Sequence, residues 1–359
     1  MNCPAAVVSH DDNGDVVIMR GRMRRGISIA LALVFSVSGA APAMAGPSPE
    51  LANNIRAYLS DQPGAYTVSL RELSSDGVTV GIDDTVQVEP ASVIKLFYAW
   101  AALRRVDRGS LALSKTMSNG LTWDRCLKLM ISISDNKCSA DIRQALGNTT
   151  LNALFAASGY PNTVIKLTSN GAYKTKRTSA ADTTLLLSRL EAGTLLSPVM
   201  TTYFHQLLKD QIWRTRINLG VPSGIPVENK GGELWVASGW TQSDAAIIRG
   251  PRSTYVLSVY GRNDATKSAI AGISRIVYEY VQGQSVTNPA RFDAYQYEAT
   301  TRVAVRKSPG GAITYRVGQG TFIKAYLSER NWVEIKAYGK TRGWVEFQNL
   351  RLREQFRWQ

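Results

Sequence analysis

Strand patterns near the two ends of one long segment enclose a stretch of helical patterns, and this order restricts the fold more than any other feature. Residues 65–73 and 78–82 alternate as paired strands, and residues 244–248 and 255–260 form a second pair. Between the pairs, apolar residues recur mostly at helical spacing, and residues 265–281 predict a last helix. We therefore expect an α+β fold, with an antiparallel sheet flanked by helices and a helical subdomain.

The first 45 residues have the pattern of a secretory signal peptide. Arginines within residues 20–25 precede an apolar run over residues 27–37, and Ala43-Met44-Ala45 ends the segment. The run is too short to span a bilayer, and the small residues predict cleavage before Gly46. We expect a secreted protein, periplasmic or associated with the cell wall, with no membrane span after cleavage.

The formal net charge of +14 limits the choice of partners. In an exported protein, such an excess of basic residues favours an anionic envelope, either wall polymers or lipid head groups. A basic surface that serves only solubility is the alternative. Nucleic acid is not expected as a partner because the protein is predicted to be exported.

Cys126 and Cys138 are the two cysteines after the predicted leader, and an oxidising compartment favours their pairing. On one straight helix, their separation in sequence would place them roughly 18 Å apart, beyond bonding distance. A disulfide therefore requires a break between them, for which residues 132–136 are the candidate. Two buried free thiols are the alternative.

Three short motifs carry the chemistry: Ser-x-x-Lys at residues 92–95, Ser-Asp-Asn at 134–136 and Lys-Gly-Gly at 230–232. At the start of a helix, Ser92 would have Lys95 one turn on and facing the same side. The amine can then accept the proton of the hydroxyl, provided that burial and a second cation lower its pKa.

The other motif residues complete an acyl-transfer site. Lys230 supplies the second cation and, with Ser134, can relay a proton to a departing amine and attract a substrate carboxylate. Asn136 would hold the amine and the substrate amide. Two glycines on a predicted edge strand, Gly231 and Gly232, allow close approach of the backbone, so that the amides of Glu233 and Ser92 could form an oxyanion hole.

Taken together and in this order, the motifs resemble those of the class A β-lactamases and their penicillin-binding relatives. The resemblance covers most of residues 48–281, within a predicted serine hydrolase domain over residues 46–281. It implies that Ser92 is the acylated serine and Lys95 its general base. It also implies that Ser134 and Lys230 form the proton-relay and carboxylate-binding pair.

Three departures from the family pattern bear on turnover. The deacylating glutamate of the family is missing, since Asp141 is the only acidic residue between residues 137 and 177. Gly231 replaces the usual hydroxyl residue, and the segment between the first two motifs is shorter than in typical lactamases. Loss of the glutamate predicts slow hydrolysis of the acyl-enzyme.

Beyond a polar linker at residues 282–293, residues 294–359 change to short alternating strands. This part resembles the bacterial relatives of the Src-homology-3 barrel. The matching features are residues 305–310, 318–321, 331–335 and 343–345. The resemblance implies a small all-β barrel that binds a cell-wall polymer. Trp332 and Trp344 are either its binding platform or its core.

Three functions fit these observations. The first is a β-lactamase-like secreted serine hydrolase that forms an acyl-enzyme on Ser92 with β-lactams, as in β-lactam catabolism. The second is a D,D-carboxypeptidase or endopeptidase that acts on peptidoglycan stem peptides. The third is a non-catalytic wall-binding or penicillin-binding protein. His205 is expected to be a packed or surface residue, and no motif indicates a metal or an organic cofactor.

Overall fold

The computed structural model describes residues 46–356 and confirms the α+β class predicted from the sequence. The predicted signal peptide lies outside the described residues. The helices are α1 (Pro49–Leu59), α2 (Lys95–Asp107), α3 (Trp123–Ser132), α4 (Asn136–Leu146), α5 (Asn148–Ala157), α6 (Ala180–Glu191), α7 (Pro198–Lys209) and α8 (Lys267–Gln282). The strands of the first part are β1 (Gly46–Pro47), β2 (Ala65–Glu72), β3 (Val78–Ile82), β4 (Val164–Leu167), β5 (Tyr173–Arg177), β6 (Val227–Val236), β7 (Gly239–Arg249) and β8 (Thr254–Arg262).

The main sheet has the strand order β1-β3-β2-β8-β7-β6. The two strand pairs expected from the sequence become neighbours through β2 and β8, whose register aligns Ala65 with Arg262. Every pairing is antiparallel except that of β1 with β3, which is parallel. The sheet is therefore mixed, and not purely antiparallel as the sequence predicted, because the short strand β1 runs in the same direction as β3. Strand β6, which carries the Lys-Gly-Gly motif, lies at the opposite edge.

Each face of this sheet is covered by helices because its strands are apolar on both sides. On one face, α1 and α8 bury residues such as Leu51 and Ile273 against Val68 and Leu257. On the other face, the helical subdomain packs against Ala245 and the other side chains of that face. Among residues 46–356, no helix combines the length and the apolar character needed to cross a membrane.

Helix α2 is the central element of the helical subdomain. Its residues from Lys95 to Leu103 are all buried, so it is enclosed on every side by the sheet and the other helices. Such a helix cannot shift without repacking the core, and the residues at its amino end are therefore held rigidly.

The chain continues into a second all-β part. Its strands are β9 (Tyr297–Ala299), β10 (Val303–Arg306), β11 (Ile313–Val317), β12 (Phe322–Glu329), β13 (Trp332–Ala337), β14 (Gly343–Glu346) and β15 (Leu350–Leu352). They form one antiparallel sheet in the order β11-β10-β14-β13-β12-β9-β15. Trp332 and Trp344 are half-buried on neighbouring strands.

The closed barrel expected here is not formed. In the described part of the chain no ladder joins β11 to β15, so the seven strands leave two open edges. Alternation of apolar residues predicts strands, whereas closure depends on their number, register and stagger. The linker over residues 282–293 and the domain limits on either side of it stay predictions. The apolar core of the second sheet is continuous with that of the helical subdomain.

Cys126 on α3 and Cys138 on α4 form a disulfide, with their Cα atoms 5.2 Å apart. The bond is possible because α3 ends at Ser132 and α4 begins at Asn136, so that the chain turns back between them. The break is the one that the sequence required, and it contains the Ser-Asp-Asn motif.

We expect loss of this disulfide to destabilise the protein. Closing a loop of this length removes unfolded-state entropy worth about 3 kcal/mol, and the double variant Cys126→Ala/Cys138→Ala should lose roughly that free energy of unfolding. Denaturant titration followed by tryptophan fluorescence measures the difference. An unchanged unfolding midpoint, with and without a reductant, would contradict the stabilising role of the bond.

Candidate active site

Ser92 lies in a short 3-10 helix, Ala91–Ile94, that leads directly into α2. The preceding Ala91 has a φ of +48°, a left-handed conformation that costs about 1–2 kcal/mol in a residue with a Cβ atom. Lys95 begins the buried helix, and its Nζ lies 3.1 Å from Ser92 Oγ. The hydroxyl and the amine predicted from the first motif are therefore in hydrogen-bonding contact.

The Lys95 amine has oxygen atoms on several sides. Besides Ser92, Nζ contacts the carbonyl oxygen of Ser134 at 2.7 Å, its Oγ at 3.1 Å and Asn136 Oδ1 at 2.8 Å. A neutral amine can donate two of these hydrogen bonds and keep its lone pair for the proton of Ser92. The three contacts to the second motif thus hold the nitrogen in position for that transfer.

Burial lowers the pKa of Lys95 to about 7, since the charged amine would lose its hydration. The negative charge of Asp135 opposes the shift, and the positive charge of the Lys176 ammonium adds to it. Near neutral pH, a substantial fraction of Lys95 is therefore unprotonated and able to act as a base.

Lys230 reaches the same site from the edge strand β6. Its Nζ donates to Ser134 Oγ at 3.0 Å and to the carbonyl oxygen of Gly231 at 3.1 Å. The side chain is fully buried, and burial followed by repulsion from Lys95 lowers its pKa well below the ordinary value. Ser134 Oγ thus lies between two amines, at hydrogen-bonding distance from each.

The turn between α3 and α4 presents Ser134 in this position. Ser134 has a φ of +64°, and the next residue, Asp135, caps α4 by accepting from the backbone amide of Cys138 at 2.6 Å. The second carboxylate oxygen of Asp135 accepts from the amide of Arg330 at 2.8 Å. Because Arg330 lies between β12 and β13, this hydrogen bond connects the second sheet to the Ser-Asp-Asn motif.

Gly232 allows the edge strand to approach Ser92. A Cβ atom on this residue would lie 2.5 Å from the backbone nitrogen of Ser92, so no other residue fits without displacing the chain. The next residue, Glu233, forms ion pairs with Arg216 at 2.8 Å and Lys267 at 2.6 Å. Its backbone therefore lies beside that of Ser92, while its carboxylate is held by cations.

A cavity of about 220 Å³ adjoins Lys95 and is lined in part by Tyr173 and Lys176, which belong to the segment in which the class A resemblance places the deacylating glutamate. Among the described residues, the only carboxylate that lines it belongs to Glu233, which is paired. Asp141 contacts Asn119 at 2.6 Å and Arg330 at 3.1 Å. Within residues 46–356, this cavity is thus lined by no unpaired carboxylate that could serve as a base for water.

A larger cavity of about 680 Å³ opens on the other side of Ser92. Besides residues of the three motifs, its walls include four that the motifs do not indicate: Trp235 and Trp240 from the β6–β7 hairpin and Lys324 and Leu327 from β12. The two tryptophans are direct cross-strand neighbours. Their closeness in sequence to the third motif is the one local sign that they could line the site. No local pattern indicates that β12 reaches the site.

His205 lies outside this constellation. Its Nδ1 is 2.5 Å from Glu228 and its Nε2 is 3.7 Å from Glu191, and Arg249 joins the same cluster. The expectation of a packed residue agrees with this position, in which the ring connects α6, α7 and β6.

Solved structures with the same fold include PBP-A and an ancestral class A β-lactamase. PBP-A is 21% identical with a TM-score of 0.61, and the match covers 67% of this chain and 99% of that one. The ancestral enzyme is 21% identical with a TM-score of 0.58, over 64% of this chain and 100% of that one. A mutant PBP-A, described as an acyl-enzyme complex with penicillin G, is 22% identical with a TM-score of 0.60, over 66% and 98%.

No curated protein sequence matches the chain significantly. The family profile described as "Beta-lactamase enzyme family" matches residues 50–281, which is more than half of the chain. This segment contains the main sheet, the helical subdomain and all three motifs. The chain therefore belongs to the β-lactamase enzyme family and is an enzyme of the serine β-lactamase fold.

Proposed function

We propose that the protein is a serine hydrolase that is acylated on Ser92 by β-lactams and releases the acyl group slowly. The observation that carries this proposal is the position of the Lys95 amine, which contacts both Ser92 Oγ and Ser134 Oγ at 3.1 Å. One nitrogen thus connects the nucleophile to the group that can protonate the leaving amine.

Acylation begins when neutral Lys95 takes the proton of Ser92 as Oγ attacks the carbonyl carbon. Negative charge develops on the carbonyl oxygen, and the backbone amides of Ser92 and Glu233 would stabilise it there. The close packing of Gly232 against Ser92 supports this role, since it brings the two backbone segments together.

The tetrahedral intermediate then collapses as the carbon–nitrogen bond breaks. The departing amine takes a proton from Ser134 Oγ, and the hydroxyl regains one from an adjacent amine. Lys95 has just gained the proton of Ser92 and lies beside Ser134, so the proton count balances. Lys230 donates to the same hydroxyl, and a substrate carboxylate beside its amine would favour the protonated form.

Hydrolysis of the acyl-enzyme requires a base for water, and the cavity beside Lys95 lacks an unpaired carboxylate among the described residues. We therefore propose slow deacylation. A mutant of PBP-A, one of the structural neighbours, is described as an acyl-enzyme complex with penicillin G. That likeness supports acylation by penicillins.

A peptidoglycan D,D-peptidase is the second candidate, and the large cavity favours it. A volume of about 680 Å³ beside Ser92 can accommodate a peptide much longer than the fused rings of a β-lactam. In this reading, β-lactams are inhibitors that mimic a peptide substrate, and a D-alanyl amide is the bond that is cleaved.

Export to the periplasm or the cell wall is part of the proposal. The disulfide between Cys126 and Cys138 supports it, since such bonds persist in oxidising compartments. Binding of a wall polymer by the second sheet also remains a proposal, which the net charge of +14 supports.

We expect Ser92→Ala to abolish labelling by a fluorescent penicillin, because the variant has no hydroxyl to acylate. Denaturing gel electrophoresis and peptide mapping measure the label and its position. Ser110→Ala, at an exposed serine, is the control and should label like the unsubstituted protein. Undiminished labelling of Ser92→Ala would refute the assignment of the nucleophile.

We expect the acylation rate to rise with pH through about 7, the pKa of Lys95. Below that value the amine is protonated and cannot accept the proton of Ser92, so the rate should fall about tenfold per pH unit. Stopped-flow measurement of penicillin acylation gives the profile. A rate independent of pH across this region would contradict Lys95 as the base.

We expect the penicillin adduct to form much faster than it is hydrolysed. A general base contributes about 10²–10⁴-fold to such a step, so deacylation should be slower than acylation by at least about 100-fold. Intact-protein mass spectrometry, repeated after removal of free penicillin, measures the loss of adduct mass. Loss as rapid as formation would show that another group activates water.

A further inference from the structure

The Ser92 hydroxyl lies where two cavities meet. Both are lined by Ser92, Asn136, Glu233 and Leu234. The smaller cavity continues along α4 and β5, and the larger one, about three times its volume, continues toward the second sheet. An amide that crosses Ser92 would therefore place its two halves in different surroundings.

Ser134 decides which half enters which cavity. It lines the larger cavity and not the smaller one, whereas Lys95 lines only the smaller one. Since the leaving amine takes its proton from Ser134 in the proposed mechanism, the leaving group must lie in the larger cavity. The acyl half then lies toward α4 and β5.

The far wall of the larger cavity is formed by the second sheet. Strand β12 contributes Lys324, Tyr326, Leu327 and Ser328 to the lining. Tyr326 is held in place by the Arg342 guanidinium, which lies 3.6 Å from the centre of its ring. The sheet therefore adds a defined surface to the cleft of the β-lactamase fold.

The charges of this surface indicate what it can bind. Lys267 and Arg216, which also line the cavity, are both paired with Glu233. By contrast, no carboxylate within residues 46–356 lies at ion-pair distance from the Lys324 ammonium, which lies 5.2 Å from the centre of the Tyr326 ring. A cation of this kind in a cleft attracts an anionic group of the ligand.

The rim of the same cavity is apolar. Leu327 is 61% exposed, Trp235 60% and Trp240 44%, and these side chains come from both sides of the opening. Exposed apolar side chains that cluster at a cleft are typical of a binding surface. They suit the aliphatic part of a peptide that extends out of the cavity.

We propose that the second sheet forms a leaving-group subsite that selects peptide amides whose leaving half is longer than one residue and carries an additional carboxylate. This inference rests on the proposed acyl transfer at Ser92. It assigns the enzyme to endopeptidase-type substrates, in which the released amine belongs to an acidic peptide and not to a single amino acid.

Three synthetic substrates with one common acyl half, ending in D-alanine, test the subsite. Their leaving groups are D-alanine, D-alanyl-glutamine and D-alanyl-glutamate, so that the last two differ only in charge. We expect kcat/KM to increase in that order for the full chain, with a preference of about fivefold for glutamate over glutamine. Equal values for all three substrates would overturn the proposal.

Variants of Lys324 isolate the contribution of the second sheet. Lys324→Gln should remove the preference for the glutamate substrate, and Lys324→Glu should reverse it. Lys307 follows β10, which is three strands away from β12 in the sheet order, and it is exposed and does not line the cavity. Lys307→Glu therefore makes the same change in net charge as Lys324→Glu and should retain the preference. An equal loss in the Lys307 variant would assign the effect to net charge and refute the subsite.

Penicillin labelling of the same preparations separates the two proposals. Absence of labelling at Ser92 in the unsubstituted protein would refute the acyl-transfer function itself. Labelling without cleavage of any of the three peptides, or with equal cleavage of all, would refute only the subsite. Labelling together with a charge preference that depends on Lys324 supports both.

Discussion

The site depends on the burial of two amines around one hydroxyl. Lys95 and Lys230 are almost fully enclosed, and Ser134 Oγ lies within hydrogen-bonding distance of both. Burial removes the hydration of both ammonium groups and lowers the pKa of each, and for Lys230 repulsion from Lys95 adds to the shift. The fold itself therefore produces an unprotonated amine near neutral pH, because it buries Lys95 in contact with the Ser92 hydroxyl.

Three elements must converge for this arrangement. The buried helix α2 fixes Lys95, the edge strand β6 delivers Lys230, and the turn between α3 and α4 inserts Ser134 between them. Each uses a costly feature, such as the positive φ of Ser134 or the close approach of Gly232 to Ser92. Strain of this kind persists only where surrounding packing enforces it. The disulfide and the helix cap at Asp135 provide that packing around the turn.

The second sheet takes part in this support. The backbone amide of Arg330 donates to the Asp135 carboxylate, and its guanidinium pairs with Asp141 on α4. Arg125 on α3 donates to Asn331 and stacks on Phe347. The sheet is thus anchored on both helices that flank the second motif. These contacts hold the sheet against the helices, so that β12 forms part of the wall of the cavity beside Ser92.

The sequence by itself determined the α+β class, the strand pairs, the three motifs and the absence of the family's glutamate between residues 137 and 177, because these features are encoded locally in periodicity and short patterns. Only the tertiary structure decided how close Ser92, Lys95, Ser134 and Lys230 lie, since those distances depend on packing between distant segments. It also left the second sheet open and placed β12 against the cleft. Strand closure and domain docking depend on long-range register and surface complementarity, and neither leaves a local mark in the sequence.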